Sequence, residues 1–426
     1  MSVVAQPLTD QSHHDTGGVR TKKRLPGQAR SPRVLERVLS FDDLEVEAKK
    51  ILPRCLFGFV SGGVETNATR QANRDAFAEW VFRPRVLVNT LSRSPQATLF
   101  GHTYGLPFGV APMGATSVIG YQCELALAGA AGEANIPFAL SGTTMVKLER
   151  VVEANPDAWF QAYIPGDRAR IGALIDRVAQ AGYRHLVVTV DAQVAGNREN
   201  NVRNGFSLPL AITPKLAWDG ITHPRWLVGG LLRGLWRDGM PHFENMEATR
   251  GAPLISRTAT RSFGRRDALD WDDIAWIRDR WKGVLILKGI LTAEDTALAR
   301  GLGIDGVVVS NHGGRQLDGA VASLAALPEV VAERGSMAVM LDSGIRRGSD
   351  IMKALALGAD FVFIGRPFLY AAAIAAKQGV AHAITIMAEE IDRDMAMLGC
   401  NTINQLNKEY IRPARRAIGD GNAPKR

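Results

Sequence analysis

The segment SNHGGRQLD, residues 310–318, sets a histidine just after an apolar run and an arginine three positions further on, with two glycines between them. Imidazole is the side chain best matched to proton transfer near neutral pH. A guanidinium offers a planar fork that grips a carboxylate through two parallel hydrogen bonds. A base beside an anion clamp is what oxidising or enolising a hydroxy acid requires, so His312 and Arg315 form the candidate catalytic pair. An isolated histidine would not support this reading, and His13, His14 and His102 are read as surface or packing residues.

Two further segments, LDSGIRRGSD (341–350) and FIGRP (363–367), combine glycine turns with arginines. Gly344, Gly348 and Gly365 let backbone N–H groups approach an anion closely, and Arg346 and Arg366 supply charge. A phosphorylated cofactor is expected. No GxGxxG fingerprint points to a nicotinamide dinucleotide. Lys288 closes the apolar run VLILK (284–288). It is either the salt-bridge partner of a neighbour such as Asp342 or the ammonium that steadies negative charge on a reduced cofactor or enolate.

The elements that must position these groups are short apolar runs alternating with amphipathic stretches. Candidate strands are 107–112, 137–141, 159–163, 185–190, 284–288, 305–310, 337–342 and 360–364. Candidate helices include Arg168–Ala181, Trp271–Trp281, Ala293–Gly301 and Ser349–Leu357, and an earlier one starts after Ser40 as N-cap. Near-continuous apolar strands are buried on both faces, hence parallel. Eight strand–helix units fit an α/β protein of the (β/α)8 TIM-barrel class, with an N-terminal helical extension, better than a doubly wound sheet. In such a barrel reactive groups stand at the C-terminal strand ends. Those ends carry Pro112-Met113-Gly114, Ser141, Gln161 and Tyr163, Thr189 and Asp191, Lys288, Ser310-Asn311-His312, Asp342 and Gly365-Arg366. Polar residues at so many ends in register describe a catalytic mouth.

One long connection breaks the rhythm, an insert over 196–270 after the fourth strand. Its stretch 222–242, THPRWLVGGLLRGLWRDGMPH, mixes Trp226, Leu227, Val228, Leu231, Leu232, Leu235 and Trp236 with arginines. That composition suits an interfacial helix at a membrane or a lid packed on its own barrel or a neighbouring subunit. The net charge of +8 resides in the tails, because residues 1–40 and 412–426 each carry +4. The body, 41–411, is neutral, which argues against a nucleic-acid binder. Both tails are read as solvated basic ends, the first as disordered. Three distant cysteines, Cys55, Cys123 and Cys400, form neither a disulfide framework nor a metal motif, so no metal site is expected. No secretory signal and no run of 18 apolar residues is seen. A cytoplasmic protein is expected, with peripheral contact to the inner face of the cytoplasmic membrane through 222–242.

SNHGGRQLD, VLILKGILTAED (284–295), TVDAQVAGNRENNVRNGF (189–206), LDSGIRRGSDIMKALALGAD (341–360) and VFIGRP (362–367), in this order, resemble the FMN-dependent α-hydroxy acid dehydrogenase/oxidase family. The resemblance spans about 41–411, and 222–245 looks most like the membrane-associated L-lactate dehydrogenases. It implies FMN, oxidation of an L-2-hydroxy acid to a 2-keto acid, reoxidation by a quinone, another carrier or dioxygen, and a homotetramer or homo-octamer. By resemblance Pro112, Met113, Gly114, Ser141, Gln161, Thr189, Lys288 and Ser310 hold the flavin ring. Asp342, Ser343, Gly344, Ile345, Arg346, Gly365 and Arg366 hold the ribityl phosphate. His312 takes the substrate proton, Asp191 pairs with the imidazolium, Arg315 and Arg198 grip the carboxylate, and Tyr163 bonds substrate oxygens. Lys288 offsets charge on reduced flavin.

Three positions depart from the family pattern. Phe59 stands where a tyrosine normally contacts the carboxylate, which is a tolerated change covered by Arg198 and Arg315, the mark of a bulkier, more apolar substrate, or the sign of a repurposed, non-turnover flavin barrel that serves a partner. Thr143 occupies a variable substrate-contacting position. Ser343 replaces a glycine of the phosphate loop, at a cost of about 1 kcal/mol if its φ is positive. Gly114 leaves room beside the flavin. A type 2 isopentenyl diphosphate isomerase, another FMN barrel, would need a diphosphate site where this sequence has NHGGR.

Overall fold

The computed structural model describes residues 32–164, 166–207, 213–255 and 266–414. Eight parallel strands make one sheet: β1 Phe108–Val110, β2 Ala139–Ser141, β3 Trp159–Tyr163, β4 His185–Thr189, β5 Val284–Ile290, β6 Gly306–Val309, β7 Ala338–Asp342 and β8 Phe361–Ile364. Neighbours pair in chain order from β2 to β8, and β8 returns to β1 with Val362 beside Phe108. Between β1 and β2 the barrel closes through a single bridge, Val110 to Phe138, with Val110 N–H donating to Pro137 O at 2.8 Å. The fold is the (β/α)8 barrel, and the doubly wound alternative is excluded.

Strand parity explains the mouth. Trp159, Val187, Ile286, Val308, Met340, Phe361 and Phe363 form the barrel interior, while their neighbours Phe160, Val188, Leu287, Val309, Leu341 and Val362 join the core under the helices. Side chains alternate along a strand, so the residue two positions beyond an interior one also points inward. Those residues are Gln161, Thr189, Lys288, Ser310, Asp342 and Gly365, and Ser141 follows Ala139 in the same way. The interior thus changes from apolar to polar within one step along nearly every strand.

Local signals set the helices. Phe41–Ile51 begins after Ser40, whose Oγ accepts from Asp43 N–H at 3.3 Å. Arg168–Gln180 is capped by Asp167 and Ala293–Gly301 by Thr292. Arg366–Leu398 is broken at Ala375 and Ala376. Among the described residues it alone is long and apolar enough to cross a membrane, yet half of its apolar window is buried against the barrel.

The ordered body is longer at both ends than 41–411. Arg33–Arg37 forms a 3-10 turn that buries Leu35, and Val38 is buried after it, an apolar pair at i, i+3 within a basic stretch. At the other end Ile411–Pro413 pairs antiparallel with Trp80–Phe82. The rest of the expected tails, 1–31 and 415–426, lies outside the described residues.

The insert holds helices Glu199–Asn204 and Pro214–Ile221, then a helical run from Pro224 to Asp238 whose turn Leu227–Leu232 is π-helical. The two tryptophans of this run differ. Trp226 is buried, its Nε1 donating to Val118 O at 2.7 Å, so it docks the helix onto the barrel and corrects the interfacial reading of that residue. Trp236 is 83% exposed and shares the outer surface of the insert with exposed Trp218, Ile221, Val228 and Leu232.

Candidate active site

His312 leaves the end of β6 in a left-handed conformation, φ +59°, followed by Gly313 at +67° and Gly314 at +70°. The loop is braced from below by a reciprocal amide pair. Asn311 Nδ2 donates to Asn73 Oδ1 and Asn73 Nδ2 to Asn311 Oδ1, both at 2.8 Å. So held, the imidazole meets Asp191, with Nδ1 2.9 Å from Oδ1. An ionised carboxylate only accepts, so Nδ1 carries the hydrogen and Nε2 keeps its lone pair towards the cleft. Tyr163 Oη stands 3.3 Å from that Nε2. Burial lowers the His312 pKa, and Asp191 only partly counters it, so the imidazole is neutral at pH 7. Burial also works against the Asp191 carboxylate, yet His312 and Lys288 hold its pKa below the usual value.

Lys288 owes its place to a bulge. The β5–β6 register shifts between Lys288 and Ile290, around Gly289 at φ +112°. A Cβ there would lie 2.6 Å from the Asp191 Cβ, so glycine is what lets the two strand ends approach. Lys288 Nζ donates to Ser310 Oγ at 2.7 Å and pairs with Asp342 Oδ2 at 3.0 Å. Burial opposes its charge, but Asp342 and Asp191 keep its pKa above the ordinary lysine value. Its reading as the salt-bridge partner of Asp342 is therefore correct, and the pair faces the cleft.

Arg315 lies with its guanidinium 5.2 Å over the Phe59 ring. Its Nη1 donates to Phe59 O at 2.9 Å and Gly62 O at 2.8 Å, at the C-terminal end of helix Arg54–Ser61. Among the described residues its other two nitrogens make no hydrogen bond. Arg198 approaches the same loop through Gln316 Oε1 at 3.1 Å. Phe59 stacks on Phe206 with ring centroids 4.4 Å apart. The Arg266 guanidinium covers the Tyr163 ring at 4.6 Å. Phe206 and Arg266 come from the insert, and no spacing signal in the sequence marked them.

Beside Arg315, Arg366 donates to Val60 O, Gly62 O and Gly313 O, at 3.0, 2.8 and 2.9 Å, so the two guanidinium groups share Gly62 O. Burial brings its pKa down to about 10, and burial also depresses Arg346 and, joined by repulsion from Arg198 and Arg366, Arg315. Buried cations whose charge is disfavoured to this degree call for anions. Ser343 has φ +82°, which meets the condition for strain at this position, and its Oγ accepts from Gly313 N–H at 3.0 Å and donates to Asp342 Oδ1 at 2.8 Å. Gly348, expected to open its amide to an anion, does not, because Glu390 Oε2 already accepts from it at 2.6 Å. Gly344 has a packing reason as well, since a Cβ there would meet Asn73 O at 2.1 Å.

These groups line one cleft of about 630 Å³ that reaches from Phe59, Tyr163, Arg198 and Arg315 to Gly344, Arg346 and Arg366, with Pro112, Met113, Gly114 and Thr143 on its wall. Ser141 Oγ donates to Gln161 Oε1 at 2.8 Å, leaving Gln161 Nε2 buried without a partner among the described residues. The buried, unpartnered Gln161 amide and the buried guanidinium groups of Arg346 and Arg366 in one cleft fit a flavin ring and its phosphate by chemistry. Thr189 and Ser310 are buried beneath the same wall.

Fold and cleft define an α/β barrel whose mouth gathers a histidine–aspartate pair, a lysine–aspartate pair and buried arginines around one cavity. The family model "FMN-dependent dehydrogenase" matches residues 48–413, and the chain belongs to that family, which supplies its cofactor, FMN. It is 36% identical to (S)-mandelate dehydrogenase of Pseudomonas putida over 88% of this chain and 94% of that protein. It is also 36% identical to an L-lactate dehydrogenase of Xanthomonas axonopodis pv. citri, over 90% and 98%. The crystal structure of (S)-mandelate dehydrogenase described as a monotopic membrane protein superposes with a TM-score of 0.81 at 35% identity, covering 88% of this chain and all of that one.

Proposed function

We propose that this enzyme oxidises an L-2-hydroxy acid with a bulky apolar side chain, of the mandelate kind rather than lactate, to the 2-keto acid. The observation that carries this reading is His312, its Nδ1 held 2.9 Å from Asp191 Oδ1 within the same cleft as Arg315. FMN supplies the two-electron acceptor when bound. Its ring edge falls to Ser141, Gln161, Thr189, Ser310 and the Pro112–Gly114 backbone, and its phosphate to residues 342–346 with Gly365 and Arg366. His312 Nε2 takes the proton that the substrate gives up, and Asp191 stabilises the imidazolium so formed. Arg315 and Arg198 receive the carboxylate, Tyr163 donates to a substrate oxygen, and Lys288 keeps a positive charge at the ring edge. The preference for a large side chain rests on the Phe59–Phe206 stack, which gives the cleft an apolar wall where a tyrosine would have offered a hydroxyl.

The electron acceptor in this reading is a quinone or other carrier in a membrane, with the enzyme bound peripherally to the inner face of the cytoplasmic membrane. Support comes from the exposed residues Trp218, Ile221, Val228, Leu232 and Trp236 of the insert, and from the monotopic relative. Anaerobic mixing with a panel of 2-hydroxy acids tests the reading. (S)-Mandelate should bleach the bound flavin faster than L-lactate, and His312→Ala should stay yellow and fail to bleach. Unchanged bleaching in that variant refutes the role of His312. Adding a quinone or dioxygen afterwards identifies the oxidant.

A further inference from the structure

We propose that Asn245 is a positioning residue that fixes Thr143 in the cleft, so that the insert helps set which 2-hydroxy acid is preferred. Asn245 is fully buried. Its Oδ1 accepts from Leu148 N–H at 2.9 Å, and its Nδ2 donates to Thr144 Oγ1 at 2.9 Å and to Val146 O at 2.7 Å. Next to it, Glu244 N–H donates to Thr144 O at 3.1 Å. One amide of the insert thereby grips the turn after β2 at both ends. Both amide hydrogens and the carbonyl are used, and neither aspartate nor leucine could supply that set.

The grip reaches the cleft within one residue. Thr144 Oγ1 also donates to Ser141 O at 2.6 Å, and Thr143 Oγ1 lies 3.1 Å from Ser141 Oγ. On its other side Thr143 O accepts from Ala115 N–H at 3.0 Å. A Cβ on Gly114 would come within 2.1 Å of Thr143 Oγ1, so the threonine hydroxyl fills the space that the glycine leaves. The turn therefore has little freedom, and most of its restraint comes from a segment about 100 residues away in sequence. Phe243 and Met246, on either side of this amide, line the cleft themselves.

The inference rests on the proposed oxidation of a 2-hydroxy acid in this cleft, and on the family resemblance that sets Thr143, one of its lining residues, against the substrate. A double-mutant cycle on the FMN-loaded enzyme separates the two. The measured quantity is the ratio of kcat/KM for (S)-mandelate to that for L-lactate, with bound flavin per chain as a check on folding. Thr143→Ala should change the ratio. Asn245→Ala should change it by about tenfold at full flavin occupancy, since small displacements of substrate contacts have effects of that order or more. In the Thr143→Ala background the same substitution should add nothing. If Asn245→Ala leaves the ratio unchanged, or shifts it equally in both backgrounds, the positioning role is overturned while the substrate reading stands. If Thr143→Ala alone leaves the ratio unmoved, the substrate reading falls and the inference with it. Should Asn245→Ala fail to fold, Thr144→Val removes the hydroxyl that Asn245 holds and enters the same cycle.

Discussion

Ser343 shows why a sequence departure can be read correctly in kind and wrongly in consequence. Its φ of +82° carries the strain expected of a side chain in the left-handed region. The sequence does not reveal that the hydroxyl ties the phosphate loop to the His312 loop, through Gly313 N–H and the Asp342 carboxylate. Each bond contributes about 1 kcal/mol, so together they outweigh a strain of about 1 kcal/mol. Ser343→Gly removes the bonds and the strain together and should lower stability by about 1 kcal/mol, read from the urea midpoint. Ser343→Ala keeps the strain and loses the bonds, and should destabilise the protein by about 1–2 kcal/mol in the same measurement. A Ser343→Ala midpoint equal to that of the wild type would show that the hydroxyl contributes nothing, and equal midpoints for the two variants would show that the strain does not. Phe59 follows the same logic: the lost tyrosine hydroxyl is not replaced by another donor, but the ring now supports Arg315 from its face, and the backbone of the same helix holds Nη1.

Among the elements, strands were legible because burial on both faces leaves a near-continuous apolar run, and parity then carries Gln161, Thr189, Lys288 and Asp342 into the mouth. Glycine-rich loops were legible where φ demands glycine, as at Gly313 and Gly314, but not at Gly289, whose role depends on a bulge and on Asp191 from another strand. The hairpin Ala97–Leu99 with His102–Tyr104 escaped, although Phe100-Gly101 between alternating residues is a turn signal. The insert was the least legible element, since composition cannot say which tryptophan faces the barrel. Trp226 and Trp236 therefore make a paired test. Trp226→Ala should lower stability by about 3–5 kcal/mol, the usual cost of emptying a buried tryptophan site. Trp236→Ser should leave stability within about 0.5 kcal/mol, as exposed substitutions do, while weakening sedimentation with anionic phospholipid vesicles. Vesicle binding untouched by Trp236→Ser would take the membrane contact away from this helix.

For the whole molecule, two partly buried groups make opposing contributions to acid stability. His185, at the start of β4, stacks on Trp159 with centroids 4.7 Å apart, and burial with the nearby Arg184 lowers its pKa to about 4. Above the unfolded value, about 6.5, the group is neutral in both states and has no effect. As pH falls below that, the unfolded chain takes up a proton that the folded one refuses, and stability is lost down to about pH 4. The loss approaches 3 kcal/mol, at about 1.36 kcal/mol per unit of pKa difference. Asp394, on the long C-terminal helix, runs the other way: burial and then Glu390 raise its pKa to about 6. There the folded state binds a proton first, so stability is gained as pH falls through 6 towards the unfolded carboxylate value. That gain is the smaller one because Asp394 is only half-buried and solvent screens it. The wild-type protein should therefore lose stability only modestly between pH 6.5 and 4. His185→Phe, which keeps the ring stack, should turn that loss into a slight gain, and Asp394→Asn should steepen it. Urea midpoints at pH 6.5, 5.5 and 4.5 read the three slopes. If the His185→Phe slope matched that of the wild type, the neutral imidazole under the barrel would not be what acid attacks.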